Sequence, residues 1–351
     1  MSAFARSFLK KSLLAASTLL LGMPALAEEA ASASLSNPFI CRRPSGAAGT
    51  ITEFPLPTEE SSPTSITVGP DLNLWFTQTG TGTIGRMTRD GAVTEFPLPT
   101  EYSIPQKITP GFDGNLWFTQ LGVNQVGRIT PKGVVTEFPL PSAGSSPYGI
   151  AAGLDGNLWF TQVTGNRIGR ITPAGVVTEF PLPTPEAQPT AIALGAGGKL
   201  WFTEVRGNKV GAIATDGTLT EYTVPTANAG PSSITLGWDG AMWFTEQFAG
   251  KIGRIGADGT ITEYALPDAN SGPVDITVGP DGALWFVELR GNRVGRITVS
   301  GALTEYDVPT AGSQPAGIVF APPGFLCVDP HLWFTERGSN QLGRIRAVTV
   351  P

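Results

Sequence analysis

Histidine is nearly absent: His331 is the only one among 351 residues, and cysteine occurs twice, at Cys41 and Cys327. That scarcity excludes a zinc site built from closely spaced Cys and His ligands. No Gly-x-Ser-x-Gly nucleophile turn and no phosphate-binding loop stand out either. Charged residues make up 15%, well below the ~25% of an average globular protein, which argues against a coiled coil or a charged disordered tail. The net charge is −6 with no basic cluster, so nucleic acid is not an expected partner, because phosphate neutralisation supplies most of that affinity. From Thr50 onward no stretch free of both glycine and proline exceeds nine residues. An ordinary helix of about 11–12 residues has almost nowhere to form. The chain is expected to be all-β.

The N-terminus has the pattern of an export signal. Arg6, Lys10 and Lys11 form a positive region, Ser12–Leu21 an apolar core, and Ala25-Leu26-Ala27 a small-residue cleavage site. The apolar run is shorter than the ~20 residues that span a bilayer, and no cysteine follows it for a lipid anchor. Cleavage after Ala27 removes three positive charges and no acid, moving the formal charge from −6 to −9. The expected order is a signal at 1–27, an extension at 28–49 and a repeat domain at 50–351, exported to the periplasm or secreted. An oxidising compartment permits a Cys41–Cys327 disulfide.

The repeats are explicit. Trp75, Trp117, Trp159, Trp201, Trp243 and Trp285 recur every 42 residues, and Trp333 follows after 48. Each is followed by Phe and preceded by Leu or Met, within the pattern Pro-x-x-Ile, Asp-Gly-x-Leu-Trp-Phe-Thr-Gln/Glu, Ile/Val-Gly-Arg-Ile and Thr-Glu-Phe/Tyr. In the first unit the β-prone runs are Ser65–Val68, Leu74–Gln78, Thr83–Met87 and Val93–Leu98. Four short strands per ~42 residues make a propeller blade. Thr-Glu-Phe/Tyr begins at Thr52, ahead of the first tryptophan unit, and is missing after the last. The expected fold is therefore a seven-bladed β-propeller with four-stranded blades. Ile51–Leu56 completes the blade of Trp333, leaving no open sheet edge. Closure also brings Cys41 and Cys327 toward the same blade.

Two side chains repeat with the blades. Arg86, Arg128, Arg170, Arg254, Arg296 and Arg344 recur, broken only by Ala212. Glu53, Glu95, Glu137, Glu179, Glu221, Glu263 and Glu305 recur in the fourth strand. Both read as blade parts, expected to pair across adjacent strands, with Arg344 facing Glu53.

Segments such as Gly153–Gln162 and Asn166–Ile171 resemble the streptogramin B (virginiamycin B) lyases, over the span from about Thr50 to Pro351. The resemblance implies a seven-bladed propeller that linearises a cyclic depsipeptide by elimination at an ester, assisted by a divalent metal, usually magnesium. It places histidines directly after the proline that opens a blade, one glutamate two residues before such a histidine, and another at the end of a Leu-Trp-Phe strand. In this chain the post-proline residues are Thr64, Gln106, Tyr148, Thr190, Ser232, Val274 and Ala316. None is His. Gln314 stands at the first carboxylate position and Ala316 at the key histidine, so Glu336 alone matches a catalytic position. His331 lies at the other end of that strand and reads as an ordinary loop histidine. The family's fold is expected; its elimination is not.

What remains is one face of the ring. It is expected to gather Gln106, Tyr148 and Asp275 with the second-strand ends Gln78, Gln120, Gln162, Glu204, Glu246, Glu288 and Glu336, the four glutamates making one side more negative and Arg206, Arg290 and Arg337 offsetting them. One reading has Gln and Glu cap the same backbone groups in every blade. The other has Glu288 and Glu336, with Asp275, hold Mg²⁺ or Ca²⁺ through oxygen ligands. Two functions stay open: a monomeric binding module for a small molecule, peptide, glycan or protein, and a metal-dependent enzyme acting on a cyclic ester.

Overall fold

The computed structural model describes residues 47–88, 90–321 and 331–347; the leader, Cys41 and Cys327 lie outside them. Among the described residues the only helix is a 3-10 turn at Ala196–Gly198. Seven four-stranded antiparallel sheets make up the rest. In blade 1 the inner strand is Pro63–Val68, followed outward by Leu74–Gln78, Thr83–Met87 and Val93–Pro97. Blade 7 takes three strands from the end of the chain, Pro315–Ala321, His331–Glu336 and Gln341–Arg346, and its outer strand, Ile51–Pro55, from the beginning. Phe54 lies opposite Leu342 and Ile51 opposite Ile345, so the predicted closure is present.

Alternation along the strands explains the repeat. On one face of blade 1 stand Trp75, Arg86 and Thr94, opposite one another across three strands; on the other stand Phe76, Gly85 and Glu95. Buried Trp75 and Ile84 pack on Leu116, Phe118 and Ile129 of blade 2. The same contact recurs around the ring, with Trp333 and Leu342 of blade 7 meeting Leu74, Phe76 and Met87 of blade 1. Every blade thus buries both faces against its neighbours, and stability resides between blades. The glycine of Ile-Gly-Arg is required by this packing. A Cβ on Gly253 would fall 2.1 Å from the Phe244 ring.

The register corrects the expected Arg–Glu pairing. Arg344 lies opposite Thr52, whereas Glu53 lies opposite Gly343. The two side chains therefore leave opposite faces of the sheet. Arg86 instead sits 5.6 Å from the rings of both Trp75 and Phe96, which stack 5.5 Å apart. In blades 5 and 6 the arginine also binds the turn aspartate: Arg254 Nε to Asp239 at 2.8 Å, and Arg296 Nε to Asp281 at 2.7 Å. Blade 4 lacks both partners, with Gly197 at the aspartate position and Ala212 at the arginine.

Candidate functional site: the channel mouth and the acids beneath it

The inner strands touch one another around the whole ring and enclose a central channel. Each begins at a buried proline and shifts register just after it. A second-strand threonine uses that shift. Thr77 accepts from the Ser65 N–H at 3.0 Å and donates to the Gln106 carbonyl of the next blade at 2.8 Å. The seven post-proline residues, Thr64, Gln106, Tyr148, Thr190, Ser232, Val274 and Ala316, are half-buried at the mouth. Gln314, Arg290 and Arg337 are exposed beside it. The Arg290 guanidinium donates to the carbonyls of Asn270 at 2.8 Å and Gln247 at 3.1 Å, tying two turns together.

One residue further in, the row reads Ser65, Lys107, Gly149, Ala191, Ser233, Asp275 and Gly317. Lys107 Nζ stands 2.9 Å from Asp275 Oδ1. These side chains come from blades 2 and 6, which are not neighbours, so the ion pair crosses the channel. Asp275 also accepts from Ser233 Oγ at 2.6 Å and from the Ile318 N–H at 3.1 Å. Its oxygens are thus engaged by blades 2, 5 and 7. Sequence reasoning missed Lys107, although a lysine and an aspartate standing alone among small residues in one repeat column signal such a bridge.

The second-strand ends do not line the face. Gln78, Gln120, Gln162, Glu204, Glu246, Glu288 and Glu336 are all fully buried. Nor do they cap backbone groups as expected: Gln78 donates through Nε2 to Glu95 at 2.8 Å, Gln120 to Glu137 at 2.7 Å, and Gln162 to Glu179 at 2.9 Å. Where Glu replaces Gln, two carboxyls meet. Burial raises Glu288 to about 7, with the nearby Ser271 hydroxyl opposing that and Glu305 adding to it. Burial likewise raises Glu336 to about 7, opposed by donation from Ser339 and reinforced by Glu53. Glu246 rises to about 8 through burial and Glu263. These glutamates therefore place little negative charge on the ring surface. Each turns toward the outer strand of its own blade. Among the described residues no group of three His, Cys, Asp or Glu stands close enough to hold a metal ion. His331 opens its strand, opposite Ala321 and Arg346 and far along it from Glu336.

A model of the virginiamycin B lyase family matches residues 40–229 and 155–350. The chain belongs to the virginiamycin B lyase family. It is 39% identical to the selenomethionine-substituted virginiamycin B lyase from Staphylococcus aureus, with a TM-score of 0.80 over 85% of this chain and 99% of that one. A catalytically inactive histidine-to-alanine variant of the Staphylococcus aureus virginiamycin B lyase, solved with quinupristin, is 38% identical at a TM-score of 0.81, over 85% of this chain and 99% of that one. Kuenenia stuttgartiensis hydrazine synthase shares the fold alone, at 16% identity and a TM-score of 0.69 over 84% of this chain and 98% of that one. No curated protein matches. Within the virginiamycin B lyase family, then, this member has no histidine in its post-proline row.

Proposed function

We propose that this chain is an exported, ligand-binding member of the virginiamycin B lyase family that does not perform the family's elimination. The absence of histidine from all seven post-proline positions at the channel mouth carries this reading. Elimination at the ester requires a group that takes the α-proton, charge that stabilises the developing enolate, and release of the ester oxygen as the leaving group, and loss of a positioned acid or base costs ~10²–10⁴-fold. Val274, Ala316 and Gln314 supply no such acid or base. The inactive lyase variant solved with quinupristin shows that, in that protein, a ligand is held without turnover. Ala316 stands at the position to which the resemblance assigns the key histidine.

A family magnesium does not fit the residues present. One carboxylate position is Gln314, and Glu336 turns its carboxyl to Glu53 rather than to a third oxygen ligand. Glu288 faces Glu305 in its own blade. Ligand contact is assigned to Gln106 and Tyr148 at the mouth, with Arg290 and Arg337 on the rim. Asp275 and Glu246 act from within, as the channel strut and a buried acid.

Titration calorimetry with a streptogramin B depsipeptide as probe tests the binding half. Saturable binding is expected, weakened ~3–10-fold by Tyr148→Ala through loss of one aromatic contact. A heat trace without saturation, from protein that still melts cooperatively, contradicts it.

A further inference from the structure

The seven blades provide an internal comparison that isolates one chemical change. In blades 1 to 3 a buried glutamine amide donates to the outer-strand glutamate. In blades 4 and 5 the same positions hold Glu204 and Glu246, equally buried. Neither oxygen of either carboxyl has a hydrogen-bond donor directed at it. The outer acids are already supplied: Glu221 accepts from Lys209 Nζ at 2.7 Å and from Thr184 Oγ at 2.6 Å, while Glu263 accepts from Lys251 Nζ at 3.1 Å and from Thr226 Oγ at 2.8 Å. A buried carboxylate without a donor, beside a second carboxylate, is among the costliest arrangements in a protein interior. One proton removes both penalties and recreates the hydrogen bond that the glutamine amide donates in blades 1 to 3.

We propose that Glu204 and Glu246 are carried as neutral carboxylic acids in the folded protein, each donating its proton to the outer-strand carboxylate (Glu221, Glu263), so that this arc of the ring loosens as the medium turns alkaline. The charged groups facing Glu204 are Lys209 and Glu221. Arg206 and Glu186, on the loops above it, are exposed, and the preceding blade's turn contributes the uncharged Asn166. Facing Glu246 are Lys251 and Glu263; the loops at 226–230 and 247–250 hold no charged residue, and the preceding turn supplies Asn208. Burial and the neighbouring carboxylate raise both inner acids to about 8, against the pull of the lysines. Burial alone pushes Glu221 and Glu263 upward too, but their donors hold them below the ordinary carboxylate value.

The sign follows from linkage. Folding takes up a proton at each inner acid, so its contribution is complete below the unfolded value near 4.5 and is lost as pH rises through about 8. Between those limits each pair lowers the folding equilibrium constant by up to tenfold per pH unit.

The test is denaturant unfolding of the full chain from pH 5 to 9, alone and as Glu204→Gln/Glu246→Gln. The isosteric amide needs no proton, so the double variant should match the parent near pH 5 and exceed its stability at pH 8.5, with a flatter profile. Infrared spectra at pH 7 should lose protonated-carboxyl absorbance on the same substitution. The converse variant, Gln162→Glu beside Arg167 and Glu179, should acquire a new downward slope. A parent–variant difference that stays constant across pH, or unchanged carboxyl absorbance, would overturn the proposal.

Discussion

Deleting the chain through Pro55 should lower the melting temperature by at least ~10 °C and broaden the transition. The missing strand is the fourth of blade 7, paired residue by residue with Gln341–Arg346. Its Phe54 ring lies 5.0 Å from Trp333 and 5.2 Å from the Arg344 guanidinium. Glu53 accepts from both the N–H and the hydroxyl of Thr310. Removing a fully buried phenylalanine costs ~3–5 kcal/mol and half-buried Phe54 a share of that, while the deletion also removes a whole strand's pairing and leaves Gln341–Arg346 as the bare outer edge of blade 7. At ~2–4 °C per kcal/mol for a domain of this scale the shift is large. Calorimetry of the deletion beside Phe54→Ala checks it: the point variant should melt between the deletion and the parent. A deletion that melts like the parent would mean the ring does not depend on this closure.

Asp281→Ala should be the most damaging exchange in a turn, at ~3–5 kcal/mol. Its side chain is only 1% exposed and accepts from Arg296 Nε at 2.7 Å and from the Trp285 indole N–H at 3.1 Å. Removing it strands a guanidinium that is itself largely buried, and breaking such a pair costs more than never having had it. Blade 4, with Gly197 and Ala212, shows that the sheet is built without either partner. Asp281→Ala/Arg296→Ala should therefore cost less than the sum of the single changes, by ~1–3 kcal/mol. A double-mutant cycle in denaturant measures the coupling. Additive costs would show that the aspartate acts through the tryptophan alone.

The sequence made the architecture legible because a propeller repeats its chemistry. Tryptophan spacing gave the blades, and the unmatched Thr-Glu-Phe at 52–54 gave the closure. Strand pairing was harder to read. Arg86 and Glu95 lie nine positions apart across a hairpin, close enough to suggest a pair, but register sets arginine opposite Thr94 and sends the two side chains to opposite faces. The site was partly legible. The empty histidine row is a sequence fact, whereas the Lys107–Asp275 strut depends on ring closure bringing blades 2 and 6 across one channel. Burial of the second-strand glutamates was not readable from composition: Leu-Trp-Phe-Thr-Glu ends in a charged residue that would ordinarily mark a strand exit. Only packing of each blade against the next shows that the acid lies inside.

The central claim, a family propeller without the family reaction, is tested most directly by incubating the protein with a streptogramin B antibiotic and Mg²⁺, with and without chelator. Elimination opens the ring without changing the mass, so the readout is chromatographic retention with fragmentation; hydrolysis would add one water. The account predicts intact cyclic antibiotic after prolonged incubation with folded protein. A chelator-sensitive linear product would contradict it and direct attention to Glu336 as the surviving catalytic group.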